Sequence, residues 1–275
     1  MFFLPVYKIQ KVFVVFFFIL LYSCIMLTFV SKRVFLTVAL FFSPLFFLLA
    51  AVPTEPVIDH LRDLVYEQEL SAGEIYPVYQ SALEEINEKY GQSASGLAFS
   101  SRIEYFMGRV YQYEENSKDA ISHYEKGFEY AEDSLKLETS VLALLMKSEC
   151  ISQMCALKPV SYAMANGLKV GSLADEVLNI DSDNTAALYL KAARYIYAPK
   201  IFADQKKGRK MLLEGLETMP YFPPDDEFNF NLAMGYSYIQ TKDKEKALEY
   251  LDKALEVYPS NKYCKTLIEE AGKLR

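Results

Sequence analysis

Histidine is scarce in this chain: two occur in 275 residues, His60 and His123. They fall on separate predicted helices. Neither has cysteines or paired carboxylates at metal-ligand spacing, so a zinc-type centre is not expected. His123 lies between apolar positions of its helix and reads as an exposed or packed side chain. The glycine motifs GxGxxG and GxxxxGK are missing, as is GxSxG, so dinucleotide, nucleoside-triphosphate and hydrolase chemistry have no footing. Glu84, Glu85 and Glu88 read as a solvated helix face. No catalytic residue, metal or cofactor is expected, and the chain reads as a non-enzyme.

Cysteine is also sparse. Beyond the first 52 residues only Cys150, Cys155 and Cys264 remain. An odd count does not make a disulfide framework. Cys150 and Cys155, five apart on a predicted helix, point away from each other and form a poor pair. All three read as small buried hydrophobes. Period-two alternation is missing as well. Apolar residues recur at spacings of 3 and 4, which predicts an all-α fold beyond the N-terminus.

Acidic residues are absent from residues 1–52, which carry only Lys8, Lys11, Lys32 and Arg33 as charges. Residues 53–275 hold 25 Lys and Arg against 36 Asp and Glu, a formal charge of −11. Without clustered cations, a nucleic-acid partner is not expected. The N-terminus has two apolar runs, Val12–Val30 and Val34–Val52, each near the ~20 residues that span a bilayer. Three readings stay open. A start at Met26 gives a secretory signal peptide, with Lys32 and Arg33 before an apolar stretch and cleavage near Ala51. Alternatively, both runs insert as a hairpin turning at Ser31–Arg33. In the third reading, Leu21–Cys24 is a lipobox and Cys24 is acylated. All three place the protein in a bacterial cell envelope, periplasmic after cleavage or membrane-anchored. Membrane contact is expected only through residues 1–52.

Residues 53–97 read as two N-terminal capping helices. Ile58, Leu61, Leu64 and Val65 share one face of the first. Ser71 and Glu74 form a capping box ahead of the second, which carries Ile75, Val78, Leu83, Ile86 and Tyr90. Residues 91–96 read as a loop, Leu137–Leu157 as a long helix, and Gly167 to Gly171 as a turn. Residues 261–274 read as a C-terminal capping helix, with Lys262, Lys265, Glu269 and Lys273 covering its outer face.

The last fifty residues place Gly235, Tyr238, Ala247, Leu251, Ala254 and Pro259 at fixed offsets. Small residues facing bulky ones let two short helices pack closely, and such a pair must stack on neighbours to bury its core. A second copy begins at Ser101, with Met107, Gly108, Tyr111, Ala120, Tyr124 and Gly127 at matching positions. Glu132 stands where the first pattern has Pro259, so the pattern does not fix the exit turn of this copy. This pattern resembles the tetratricopeptide repeat. Clear copies span 101–134 and 228–261, degenerate ones 137–184 and 185–220, within a repeat region of 98–275. Asn231 departs from the Trp the family often has. The resemblance implies an α-solenoid scaffold that binds a protein or peptide partner on its concave face.

That face would be lined by the second, fifth, ninth, twelfth and thirteenth positions of each copy. Arg102, Tyr105, Arg109 and Tyr113 fall there in the first, Tyr189 and Tyr197 in the third, and Asn229, Tyr236 and Gln240 in the last. A tyrosine-rich surface suits contact, because tyrosine offers area at low entropic cost. Arg102 and Arg109 are expected to hold a carboxylate. Residues 194–204 are similar to the expanded turn of the tetratricopeptide proteins associated with TRAP transporters in spirochaetes. That likeness implies a second reading, an accessory subunit of a periplasmic solute-transport system binding a small ligand or solute receptor. A homo-oligomer is an open alternative.

Overall fold

The computed structural model describes residues 54–274, and every reading of the leader, including the cleavage near Ala51 and the Cys24 lipobox, lies outside them. Eleven helices and no strand occur among the described residues. They are α1 (Pro56–Glu67), α2 (Ala72–Tyr90), α3 (Ala94–Tyr113), α4 (Ser117–Leu137), α5 (Val141–Leu157) and α6 (Val160–Ile180). α7 (Thr185–Ile196), α8 (Gln205–Thr218), α9 (Pro224–Gln240), α10 (Lys244–Val257) and α11 (Lys262–Gly272) complete the set. None of them is long and apolar enough to cross a membrane.

Local chemistry starts these helices. Glu74 reaches back to accept from the Ser71 backbone N–H at 2.9 Å, the capping box read from sequence. Side-chain oxygens of Ser93, Asn116, Ser140, Asn184, Asp204, Asp243 and Asn261 each accept an orphan N–H in the first turn of their helices. Pro56 and Pro224 sit in the first turn of α1 and α9, where a missing N–H costs nothing.

Successive helices pair antiparallel, α3 with α4, α5 with α6, α7 with α8 and α9 with α10. The pairs close through small residues. A Cβ on Gly235 would lie 2.5 Å from Cγ of Leu251, and one on Gly108 would lie 2.6 Å from the Tyr124 ring. Ala120, Ala247 and Ala254 are fully buried on the opposing helices, and Tyr238 is buried. Tyr111 stacks on His123 at 5.3 Å. Pro259 stands exposed in the turn after α10. The core is one cluster from Ile58 to Ala271, so residues 54–274 share a core among themselves.

Several boundaries differ from the sequence reading. α3 opens at Ala94, because the Ser93 side chain accepts from Gly96 N–H at 3.1 Å and starts the helix ahead of the repeat. α4 runs through Glu132 to Leu137. Nothing there breaks it as a proline would, and buried Ser134 donates to the Ala94 carbonyl at 2.8 Å. α5 begins at Val141 under a Ser140 cap. Gly167 and Gly171 lie inside α6, where Gly171 makes room for the Arg194 side chain rather than a turn.

The stack also closes on itself. The odd-numbered helices form an inner layer, α3 on α5, α5 on α7 and α7 on α9. α1 packs against both α3 and α9, joining the two ends of that layer. Tyr66 is the centre of the seam. Its ring stacks on Tyr258 at 5.1 Å and meets Phe228 edge-on at 5.5 Å. Asn229 donates to its hydroxyl at 2.9 Å, and Asn261 donates to its carbonyl at 2.7 Å. Tyr258 donates to Asp63 at 3.0 Å, and the Gln68 side chain accepts the backbone N–H groups of Lys262 and Tyr263.

Candidate functional site

Closure turns the concave face into a lumen. At one end the N-terminal turn of α9 brings Asp225 and Asp226 against α3 and α7. Arg102 donates to Asp225 at 3.5 Å, and Arg62 from α1 lies 3.9 Å from the other oxygen of Asp225. The expected grip of Arg102 on a ligand carboxylate is therefore taken by the protein's own carboxylate, 123 residues away in sequence. A cavity of about 40 Å³ lies beside this pair, lined by Tyr66, Arg102, Tyr105, Glu149, Asp226 and Asn229 among others. Among the described residues, Asp225 Oδ1 faces it without a hydrogen-bond partner.

Burial first, and then the neighbouring Asp225 charge, push Asp226 up to about 8, although Thr185 donates to it. Burial likewise raises Glu149, with Tyr105 and Arg109 opposing. A carboxyl whose value rises on folding favours the protonated native state. Its contribution is fully present below about 4, the unfolded aspartate value, and is lost as pH climbs to about 8. Asp226→Asn keeps the shape without the charge. We expect its melting temperature to exceed the parent's at pH 9 and to approach it at pH 5. An equal offset at both pH values would sink this account.

Arg109 sits further along the lumen and differs from Arg102. Its Nη1 donates to Tyr105 at 3.2 Å and its Nη2 to Tyr113. The guanidinium lies over the rings of Tyr66 and Tyr113, at 5.6 Å and 5.0 Å. Among the described residues Nε has no partner, and no carboxylate pairs with this arginine as Asp225 pairs with Arg102. Tyr189, Tyr197, Tyr236 and Tyr263 gather near it, with Tyr197 and Tyr236 rings 4.9 Å apart. Tyr197 stays 39% exposed although Tyr189, Tyr236 and Tyr263 crowd it, as expected for a side chain on the wall of an open recess.

The sequence-derived residues thus divide. Arg102, Tyr105 and Asn229 are buried in the seam and its cavity. Arg109, Tyr113, Tyr189, Tyr197 and Tyr236 converge on the recess, and Gln240 is exposed at the end of α9. Sequence reasoning missed Tyr66, Glu149, Asp225, Asp226 and Tyr263. The first and last belong to capping helices, for which the repeat pattern assigns no inner positions. It also missed Glu104, fully buried between α2 and α4. Tyr79 donates to it at 2.9 Å, and His123 Nδ1 lies 2.6 Å away. Burial alone would raise this carboxyl, but hydrogen bonds from His123 and Lys126 outweigh it and hold the value low. His123 is thereby a packed side chain. No group of three or more potential metal ligands occurs among the described residues.

The tetratricopeptide-repeat family model matches residues 228–261, which cover α9 from Phe228 onward, α10 and the turn beyond. No curated protein matches the chain significantly. Repeats of this kind generally mediate protein–protein contact, and their helical fold typically serves as a non-catalytic scaffold. With one repeat matched outright, the same small-to-large contacts in α3 and α4, and helix pairs stacked throughout 54–274, the described residues form an all-helical stack that carries a tetratricopeptide repeat at 228–261.

Proposed function

We propose that the chain is a non-catalytic scaffold of the bacterial envelope, exported or anchored through its leader. It binds a peptide segment of a protein partner in the tyrosine-lined recess. The observation that carries this reading is Arg109, a cation held by two tyrosine hydroxyls, whose buried Nε has no partner and which makes no ion pair among the described residues. Such a group, ringed by Tyr113, Tyr189, Tyr197 and Tyr236, suits a carboxylate carried on an apolar or aromatic segment. A displayed peptide library with free C-termini, selected on the protein, tests this. Arg109→Gln with an unchanged melting temperature should weaken the selected peptides by about tenfold or more, as expected for loss of a charged hydrogen bond. Full affinity in an Arg109→Gln, Tyr236→Ala double variant would overturn the proposal.

One observation favours a second reading, that of a transport accessory holding a small solute. α1 packs against both α3 and α9, and the cavity beside Asp225, about 40 Å³, has room for a small group and not for a chain. Native mass spectrometry of the purified protein separates the two. A retained small molecule supports the accessory reading, and exclusive peptide selection supports the scaffold.

A further inference from the structure

The turn between α7 and α8 and the outer face of α6 present apolar side chains to solvent. Val160, Met164, Leu168, Ile201 and Phe202 are each between 72% and 82% exposed. On α6 the first three recur every fourth residue, so they share one stripe. Two contacts fix how α6 lies against α7. Asp175 pairs with Lys191 at 2.6 Å, and Gly171 abuts the Arg194 guanidinium. In an antiparallel pair these contacts set the register. α6 has 21 residues and α7 only 12, so α6 is longer by roughly 13 Å. The register places this overhang, Val160–Leu168, beyond the end of α7, where the chain turns back and the Asp204 N–H donates to the Tyr195 carbonyl at 2.9 Å. The stripe continues the line of Gly171 and Asp175 towards the end where α7 stops. The stripe and the turn thus lie at the same end of the α6–α7 pair, and both form an apolar surface exposed to solvent.

Its rim is basic. Among the cations from Lys191 to Lys210, Lys191 pairs with Asp175, Lys210 pairs with Glu214 and Arg209 donates to Ser237, while Lys200, Lys206 and Lys207 form this rim. Asp204 is engaged in capping α8. Lys200, Lys206 and Lys207 are exposed, and none makes an ion pair among the described residues. Exposed Ile and Phe at the tip of a turn, flanked by lysines on flexible stems, match the boundary between anionic headgroups and acyl chains. A second copy docking through the same face would bring the two basic rims together across a two-fold axis.

We propose that this surface docks on an anionic membrane, with Ile201 and Phe202 entering the interface and Lys200, Lys206 and Lys207 meeting the headgroups. The contact is peripheral and separate from the recess. It extends membrane contact beyond the leader, to which the sequence reading confined it.

The test is flotation of residues 54–275, which share one core, with phosphatidylcholine vesicles containing phosphatidylglycerol or lacking it. Binding should require phosphatidylglycerol and weaken with added salt. Ile201→Ser with Phe202→Ser, and separately Met164→Ser with Leu168→Ser, should each reduce partitioning by at least about tenfold at unchanged melting temperature. Lys206→Gln with Lys207→Gln should reduce it on the order of tenfold. Equal binding to neutral vesicles, or indifference to all three variants, would overturn the proposal. So would a lipid-free dimer abolished by Phe202→Ser. Lipid-free protection of the 197–204 amides in the full chain, absent from residues 54–275, would assign the surface to the chain's own leader and equally reject the membrane.

Discussion

Gly235→Val is expected to destabilise the protein by about 3 kcal/mol, lowering the melting temperature by roughly 6–12 °C. The reason is local and severe. A Cβ at this position would stand 2.5 Å from Leu251 Cγ and 3.2 Å from the Ala247 carbonyl. Leu251 is fully buried, and a backbone oxygen on the far side leaves little room to move. The helix pair α9–α10 must then separate, and α11, which packs on both, loses its seat. Gly73→Ala is the control, since a Cβ there meets nothing within 4 Å. It should change stability by less than about 1 kcal/mol, and towards greater stability because alanine favours helix. Thermal melts followed by circular dichroism measure both. A second check is coupling. Leu251→Ala leaves a cavity that the new group of Gly235→Ala partly fills, so the double variant should be more stable than the sum of its singles. Strict additivity would mean the two side chains do not compete for one space.

Tyr66→Ala is expected to cost about 4 kcal/mol, the range for removing a large buried aromatic side chain. The ring is 1% exposed and touches both Phe228 and Tyr258, while its hydroxyl accepts from Asn229. Arg109 also loses one of the two rings beneath it. What sets this substitution apart from other core truncations is where the loss appears. Hydrogen exchange should accelerate in α1 and in residues 258–263 on the far side of the seam, before the α3–α4 pair is affected. Tyr76→Ala, at a 41% exposed tyrosine on the neighbouring helix α2, should cost far less and leave the seam protected. If the two variants behave alike, closure through Tyr66 does not hold the ring together. The same experiment bears on function, because opening the seam widens the lumen beside Asp225 and changes what the recess can admit.

The repeats were legible in the sequence because helix pairing is a local matter. Gly108 against Tyr124 and Gly235 against Leu251 lie 16 residues apart in both pairs, and the required small and large residues recur at readable offsets. The Ser71–Glu74 cap was legible for the same reason, since three residues decide it. Helix ends at Ala94, Leu137 and Val141 were misread because a family pattern marks the packed core, whereas the helix extends wherever a cap starts it and nothing stops it. The Gly167–Gly171 spacing misled in the opposite sense. Glycine suggests a turn, but here the missing side chain at Gly171 accommodates Arg194 from the next helix.

The inner face shows how far such reading reaches. Repeat positions named Arg109, Tyr113, Tyr189, Tyr197 and Tyr236, and these converge. They also named Arg102, whose partner Asp225 lies in an exit segment that the repeat pattern leaves unassigned. The sequence by itself determined an all-helical stack, the contacts inside each repeat and a tyrosine-rich interior. Tertiary structure alone decided that the stack closes, that Arg102 and not Arg109 pairs with a carboxylate among the described residues, and that the α6 stripe is exposed. Those outcomes depend on groups such as Tyr66 and Asn261, 195 residues apart. No periodicity couples residues at that distance. Their meeting is fixed by the accumulated curvature of every helix pair between them.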